Sequence, residues 1–401
     1  MELLLEDLLQ RWVQAFDELD SISHRKDEIR TVQYADGFRY DLEKFDWNSF
    51  PSGGPLTTDK EQITPFSPHE YGFNDKGLPC YTTYRHDHNQ IFWEGYYSYT
   101  DDLVEYIEFC LTSGIPAAIQ RIKYQNGRKI SRQSMSINGR GTGYSRSSMS
   151  KEEIINRIKN DGFSLISTTT TFQYGPSGKI EKAFSNHISP GIGKFASYDE
   201  YAYDKNGDLD TIRTFFEQGS DRLTYCRIPE NMDPGSLTEE LAANMAQAVM
   251  AALVIGEIEQ PIALLELSYH YSDNYYPLLV YQSAREVEEM LKSEDFSFTP
   301  TYYDDALDVD TSSFERLFAQ LQQMMEERDD RKLGRIMLRK TAELLTKYQL
   351  FGEIAVTADF AAYAIDWSIE GHSNDDFQKI LLECGVEAAH LEHWRKKGMF
   401  R

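Results

Sequence analysis

Four short turn elements in the first half of the chain constrain its fold more than any other feature. Each has an aromatic residue, a polar turn, a glycine and then an aliphatic residue, and the four glycines are Gly77, Gly127, Gly178 and Gly207. A glycine in such a turn supplies a positive φ, and the flanking residues then return as an antiparallel strand. We therefore predict a sheet of β-hairpins between about residue 70 and about residue 228.

The spacing of the turns predicts insertions between the hairpins. The four glycines are 50, 51 and 29 residues apart, so the repeat is irregular. One helix is predicted over 99–113, where four residues share a helical face: Leu103, Tyr106, Ile107 and Cys110. A second is predicted over 150–160, because Ser150 and Glu153 have the spacing of a capping box.

Helical and strand patterns are mixed in the rest of the chain. Residues 2–20 carry apolar side chains at helical spacing, and Ser236-Leu-Thr-Glu239 predicts the start of a helix that runs to about residue 255. The later strand patterns cover 262–271, 277–282, 353–356 and 360–367. The later helical patterns cover 283–292 and 312–348.

These patterns predict an α+β protein. Its N-terminal region consists of antiparallel β-hairpins with inserted short helices, and its C-terminal domain is a helix-rich α+β domain. We expect an N-terminal helix and loop over 1–60, a hairpin-sheet region over 61–232 and the C-terminal domain over 236–401.

The net charge of the chain indicates which classes of partner it can bind. The sequence has 65 Asp and Glu against 41 Lys and Arg, a formal net charge of −24. Such a surface repels nucleic-acid phosphate and anionic membranes, and it favours encounter with a basic protein. The apolar stretch over 242–255 is too short to span a bilayer, and the four cysteines are widely spaced, as in a reducing compartment. We expect a cytoplasmic protein that binds neither nucleic acid nor membrane.

No catalytic motif is strong enough to predict a reaction. Gly191-Ile-Gly193-Lys194 matches part of a phosphate-binding loop but lacks the earlier glycine and the following hydroxyl. His86 and His88 alternate on a predicted strand and could share one metal ion, although no third ligand is marked. We predict no catalytic residue, no metal and no cofactor, and the alternative left open is an unrecognised hydrolase that uses these histidines.

The most acidic segment, over 286–315, is the candidate binding site. It holds ten acidic residues and one basic residue, with aromatic residues between them. Aromatic anchors within a charged rim are typical of protein interfaces, whereas a solvated loop is the alternative. We predict partner-binding residues at Tyr302, Tyr303, Asp304, Asp305, Asp308 and Asp310.

Two features of the sequence resemble known bacterial families. The four turn elements, above all Tyr203-Asp-Lys-Asn-Gly-Asp-Leu209, which alone has the Tyr-Asp pair, resemble the tyrosine–aspartate repeats of Rhs-type proteins. The stretch Thr357-Ala-Asp-Phe-Ala-Ala-Tyr-Ala-Ile-Asp366-Trp resembles the ends of small bacterial proteins that are suspected immunity proteins of polymorphic toxin systems. Such proteins are acidic, cytosolic and α+β, so the resemblance implies toxin neutralisation. It transfers no binding residue.

We therefore expect a non-enzymatic immunity-type protein that binds a cognate toxin domain and blocks its site. We expect the partner to be a basic protein. An alternative is a scaffold or binding module whose aromatic strand over 81–99, including Trp93, is presented to a protein or a glycan.

Overall fold

A computed structural model describes residues 2–36, 38, 40, 42, 56–62, 68–86, 91–137, 143–160, 165–189, 191–256, 258, 260–270, 275–292, 306–328, 332–348, 354–371 and 373–400. The chain divides into two compact units. The first unit contains Met1–Arg227 and Glu326–Asp329, and the second contains Ile228–Met325 and Asp330–Arg401. A large antiparallel sheet, a smaller mixed sheet and helices give the α+β fold class that the sequence predicts.

The first unit is built on a 12-stranded antiparallel sheet in which every strand pairs with its neighbours in the sequence. The strands are β1 Thr31–Asp36, β2 Pro68–Phe73, β3 Pro79–His86, β4 Ile91–Tyr99, β5 Leu103–Cys110, β6 Ile115–Gln125, β7 Arg128–Ile137, β8 Leu165–Tyr174, β9 Ile180–Ser189, β10 Gly193–Tyr203, β11 Leu209–Phe216 and β12 Asp221–Cys226. Because the order is a simple meander, each strand finds its partners close by in the sequence.

The four predicted turn glycines all lie in hairpin turns. Gly77, Gly127, Gly178 and Gly207 have φ of +71°, +72°, +77° and +85°, a region in which a side chain is strained. They connect β2 to β3, β6 to β7, β8 to β9 and β10 to β11, so the turns share one end of the sheet. The hairpin prediction is confirmed at these four positions.

The irregular spacing of the glycines has two structural causes. The turn between β4 and β5 has no glycine and is closed by the Thr100 N–H, which donates to the Leu103 carbonyl over 2.8 Å. A helix, α3 Lys151–Asn160, is inserted between β7 and β8. The helix predicted over 99–113 is wrong, because this segment contains strand β5. Six consecutive residues of β5 are buried, so its apolar residues lack the alternation that marks a one-sided strand.

At the end of the sheet where these turns lie, four side chains form hydrogen bonds between neighbouring strands. In each bond the acceptor is the backbone carbonyl of the residue two positions after the glycine of an earlier turn. The Tyr99 hydroxyl donates to Pro79 over 2.8 Å, the Tyr174 hydroxyl to Lys129 over 3.0 Å and the Tyr203 hydroxyl to Ile180 over 2.8 Å. Arg227, which follows the last strand, takes the same place with its Nε, which donates to the Leu209 carbonyl over 2.8 Å. The aromatic residue is therefore structural in two of the four turn elements, at Tyr174 and Tyr203. We call these four bonds the carbonyl ladder.

Helices cover one face of the first half of this sheet. The first unit contains α1 Glu2–Ala15, α2 Leu19–Ile22 and α3 Lys151–Asn160. Trp12 is fully buried, and its indole N–H donates to the Pro116 carbonyl over 3.0 Å. Leu8, Phe16 and Ile154 share its core, which also includes Tyr96, Ile107, Ile119 and Met135 of the sheet. The apolar face predicted over 2–20 thus packs against the strands.

The second unit is a three-stranded mixed sheet in the order β14-β13-β15, packed with helices. Its strands are β13 Ile262–Ser268, β14 Leu278–Ser283 and β15 Val356–Ile365. Its helices are α4 Pro234–Ile255, α5 Ala284–Lys292, α6 Glu315–Arg328, α7 Lys332–Tyr348, α8 Asn374–Glu383 and α9 Ala388–Lys397. Every residue of β13 is buried, because it lies between antiparallel β14 and parallel β15.

Two sequence predictions for the second unit are corrected. The cap of α4 is Asp233, whose carboxylate accepts the Ser236 N–H, with Pro234 in the first turn, so Ser236 does not cap this helix. The two strands predicted over 353–356 and 360–367 are the single strand β15. Among the described residues, no helix is both long and apolar enough to cross a bilayer.

Candidate functional site

The structure describes two of the six predicted binding residues. Tyr302, Tyr303, Asp304 and Asp305 lie outside the described residues. Asp308 and Asp310 are described, and both are exposed.

Asp308 and Asp310 are held at the edge of the second unit's sheet. The Leu279 N–H donates to the Leu307 carbonyl over 3.3 Å, and the Leu307 N–H donates back over 2.9 Å, so the chain around Leu307 runs antiparallel beside β14. Val309 is fully buried, and in an extended chain its neighbours on both sides point the other way. The local backbone therefore directs both carboxylates outward.

Tyr276 is an aromatic neighbour of these carboxylates that the sequence did not identify. Its side chain is 38% exposed, and its hydroxyl donates to the Val309 carbonyl. Burial raises the pKa of Tyr276, and the nearby carboxylates of Asp308 and Asp310 raise it further. The ring also packs edge-on against Phe318. An aromatic side chain thus lies near both acids, and it comes from the segment just before β14 and not from the acidic segment itself.

The end of α4 adds an apolar and electronegative element beside the same edge. Gly256 ends this helix, and a Cβ at that position would lie 2.9 Å from the Leu307 side chain. Val254 and Ile255 are 62% and 80% exposed. No basic residue lies in the last turn, so the negative end of the helix dipole is not neutralised there. We call Val254, Ile255, Tyr276, Asp308 and Asp310 the acidic edge.

Other acids of the predicted segment have local structural roles. The Glu286 carboxylate caps α5 by accepting the Ser283 N–H and hydroxyl, each over 2.7 Å. Glu289 pairs with Arg285 along the same helix over 2.9 Å. Asp310 also accepts the Ser312 N–H, which lowers its pKa. Charge density alone therefore overstates the number of acids available to a partner.

The aromatic strand that motivated the scaffold alternative is a core element. Trp93 is 6% exposed and stacks on Tyr84 with ring centroids 4.7 Å apart. Tyr96 and Tyr97 are almost fully buried. The expectation that Trp93 contacts a ligand is wrong, because strands β3 to β5 carry side chains into cores on both faces.

A different aromatic row is accessible in the first unit. Phe184, Tyr198 and Phe215 are paired neighbours on β9, β10 and β11. Phe184 is 39% exposed, and the rings of Tyr198 and Phe215 stack with centroids 4.7 Å apart. Because those two rings cover each other's faces, the row presents mostly ring edges and apolar surface.

A serine and a histidine side chain are in contact in the same sheet, as in the nucleophile–base pair of a hydrolase. His187 Nε2 lies 2.8 Å from Ser197 Oγ, and its Nδ1 lies 3.1 Å from the Thr168 hydroxyl. Ser197 is in the middle of β10, between β9 and β11, so the backbone N–H groups around it serve the sheet. The partner of His187 Nδ1 is the Thr168 hydroxyl, whereas a catalytic triad has a carboxylate there. The strand also offers no oxyanion hole, so this contact is better explained as a structural hydrogen bond.

The predicted metal alternative gains no support from the described residues. His86 ends β3, and His88 lies outside the described part of the chain. Within that part, no three His, Cys, Asp or Glu side chains are arranged to hold a metal ion.

Two buried carboxylates in the second unit are linked to neighbouring side chains. Glu266 accepts the Tyr363 hydroxyl over 2.7 Å and the Trp367 indole N–H over 2.8 Å. Burial raises the pKa of Glu266 to about 7, although these hydrogen bonds oppose the shift. Glu370 pairs with Arg339 over 2.9 Å and with Arg335 over 3.2 Å. Glu266 therefore links β13 to β15 and to the residue Trp367 just after it. Glu370 links the segment after β15 to α7.

Comparison with known proteins gives no match, either to a protein-family model or to a curated protein sequence.

Proposed function

We propose that the chain is a non-enzymatic protein of the immunity type that binds a basic toxin domain and neutralises it by covering its active surface. The observation that carries this proposal is the acidic edge. Two exposed carboxylates, Asp308 and Asp310, lie near the part-exposed ring of Tyr276, and the exposed Ile255 ends the adjacent helix.

Electrostatics favour a basic partner at this edge. Residues 236–401 contain 30 acidic and 15 basic residues, a net charge of −15. The unneutralised end of α4 adds negative potential beside the two carboxylates. A field of this kind speeds the encounter with a basic surface, and the apolar side chains then supply contacts that slow dissociation.

The proposal also assigns a role to each of the two main regions of the chain. The hairpin region over 61–232 would act as the scaffold, and the helix-rich domain over 236–401 would carry the binding surface. The four cysteines, Cys80, Cys110, Cys226 and Cys384, are buried and none forms a disulfide bond, which supports a reducing cytoplasm. Neither a nucleic acid nor a membrane is part of the proposed function.

The first test identifies the partner. The tagged chain is expressed in its source bacterium and purified at about 150 mM and about 1 M salt, the second well beyond the screening range. We expect one basic protein in near-stoichiometric amount, whose toxicity to a host cell is suppressed when this chain is co-expressed. A partner that is not toxic, or one whose toxicity persists on co-expression, would contradict neutralisation.

Variants then test the site. The double variant Asp308→Asn, Asp310→Asn should slow association roughly tenfold at low salt and reduce its salt dependence, because steering charge is lost. Ile255→Ser should mainly speed dissociation. Glu239→Gln with Glu240→Gln is the matched control, since these acids are exposed at the other end of α4 and removing them changes the net charge equally. Equal effects of the two double variants would remove the acidic edge from the proposal.

The aromatic row supports a second candidate function, a binding module. Phe184 is exposed beside Tyr198, and Lys182 lies over the Tyr198 ring with its Nζ 5.3 Å from the centroid. A glycan stacks best on open ring faces, whereas Tyr198 and Phe215 cover each other, so a protein ligand fits this row better. Glycan-array binding that is lost in Phe184→Ala would favour the glycan, and loss of partner binding in the same variant would favour a protein.

A further inference from the structure

A cavity of about 320 Å³ lies in the first unit between α1 and strands β8 to β10. Register places two rows of its lining on one sheet face: Ser167 pairs with Ile188 and Ile188 with Lys194, while Thr169 pairs with Asn186 and Asn186 with Ala196. Leu5 of α1 and Glu217, which follows β11, also line the cavity. The volume suits a small molecule of the size of a free amino acid.

Two opposite charges face this cavity without neutralising each other. Among the described residues, the Lys194 ammonium makes no hydrogen bond or ion pair, and it is exposed at the rim. The Glu217 carboxylate is held in place by the Ala196 N–H, which donates to it over 3.2 Å, and it forms no ion pair with Lys194. Separated charges of opposite sign at one cavity match a ligand that carries both charges.

The inner wall adds neutral polar groups and an apolar patch. Ser167 and Thr169 are each 3% exposed and line the cavity, so each brings a buried hydroxyl group to its wall. Asn186 brings an amide, and Leu5 and Ile188 bring aliphatic surface. A few polar groups on an apolar lining are typical of small-molecule sites.

We propose that this cavity binds a small zwitterion, a free α-amino acid with an aliphatic side chain. Lys194 receives the carboxylate, Glu217 receives the ammonium group, and Leu5 and Ile188 contact the side chain. The site lies in the first unit, so it can fail or succeed independently of the acidic edge, which lies in the second.

Titration calorimetry with three probes tests the charge requirement. L-leucine carries both charges, N-acetyl-L-leucine lacks the ammonium group and L-leucinamide lacks the carboxylate. We expect L-leucine to bind at least tenfold more tightly than either analogue, because each charged contact is lost in one of them. No binding of L-leucine up to about 10 mM, or equal binding of all three, would overturn the proposal.

Variants assign each charge to its residue. Lys194→Gln should remove the preference for L-leucine over L-leucinamide, and Glu217→Gln should remove the preference over N-acetyl-L-leucine. Glutamine at 217 keeps an oxygen for the Ala196 N–H, so the local structure is retained. Lys205→Gln, at an exposed hairpin turn, is the control and should bind as the wild type does. Preferences that persist in both cavity variants would contradict the assignment.

Discussion

Replacing Glu266 by glutamine should change how stability depends on pH. This side chain is 3% exposed, and burial raises its pKa from an ordinary 4.5 to about 7. Between those two values the folded chain retains a proton that the unfolded chain has released. Raising the pH therefore lowers the free energy of unfolding, and the loss is complete above about pH 7.

The magnitude follows from the size of the shift. One pKa unit corresponds to about 1.4 kcal/mol, so this carboxyl alone should cost about 3 kcal/mol of stability between pH 4.5 and pH 8. Glu266→Gln cannot ionise and has nearly the same shape. Its oxygen still accepts the Trp367 N–H, and its amide can donate to the Tyr363 hydroxyl, so the variant should fold.

Denaturant unfolding at intervals from pH 4.5 to pH 8.5 measures the effect. The quantity compared is the free energy of unfolding of the variant minus that of the wild type, because contributions from the other acids cancel in this difference. It should rise by about 3 kcal/mol across the range. The control Glu239→Gln removes an exposed acid and should give a flat difference. A flat difference for Glu266→Gln as well would refute a raised pKa.

Three further predictions concern packing and capping. Tyr203→Phe removes one bond of the carbonyl ladder and should lower the free energy of unfolding by about 1 kcal/mol in denaturant titration, whereas an unchanged value would make the bond incidental. Trp93→Ala should lower it by about 3 to 5 kcal/mol, because a buried stacked ring is lost, and a change below 1 kcal/mol would contradict its burial. Asp233→Ala should cost about 1 kcal/mol, and Ser236→Ala should cost clearly less, since the carboxylate of Asp233 is the cap; the reverse order in thermal unfolding would restore Ser236 as the cap.

The sequence predicted elements best where local chemistry decides the structure. Hairpin turns at Gly178 and Gly207 follow from the positive φ that those positions require. Strand β5 was missed because it is buried on both faces, so its apolar residues match a helical period by coincidence. The cap of α4 was misplaced by three residues because Ser236 and Asp233 are both good capping residues, and only the geometry separates them.

The candidate site was only partly predictable because it is assembled from separate elements. Asp308 belongs to the acidic segment that composition identifies. Tyr276 and Ile255 precede it in the sequence by 32 and 53 positions. The pair of backbone bonds between Leu279 and Leu307 brings the first beside it, and the contact of Leu307 with Gly256 brings the second. Neither contact leaves a signal in a single sequence.

The carbonyl ladder gives the turn elements a meaning that their composition does not. In the sequence, a tyrosine before a turn indicates only a flanking strand residue, yet at Tyr99, Tyr174 and Tyr203 its hydroxyl donates to a carbonyl beside an earlier turn. β12 is the edge strand of the 12-stranded sheet, and Arg227, which follows it, makes the equivalent bond while its guanidinium also pairs with Asp204 over 3.1 Å. A charged side chain beside an edge strand disfavours pairing with another strand. The ladder therefore links neighbouring hairpins, and its last member is a charged residue next to the sheet edge.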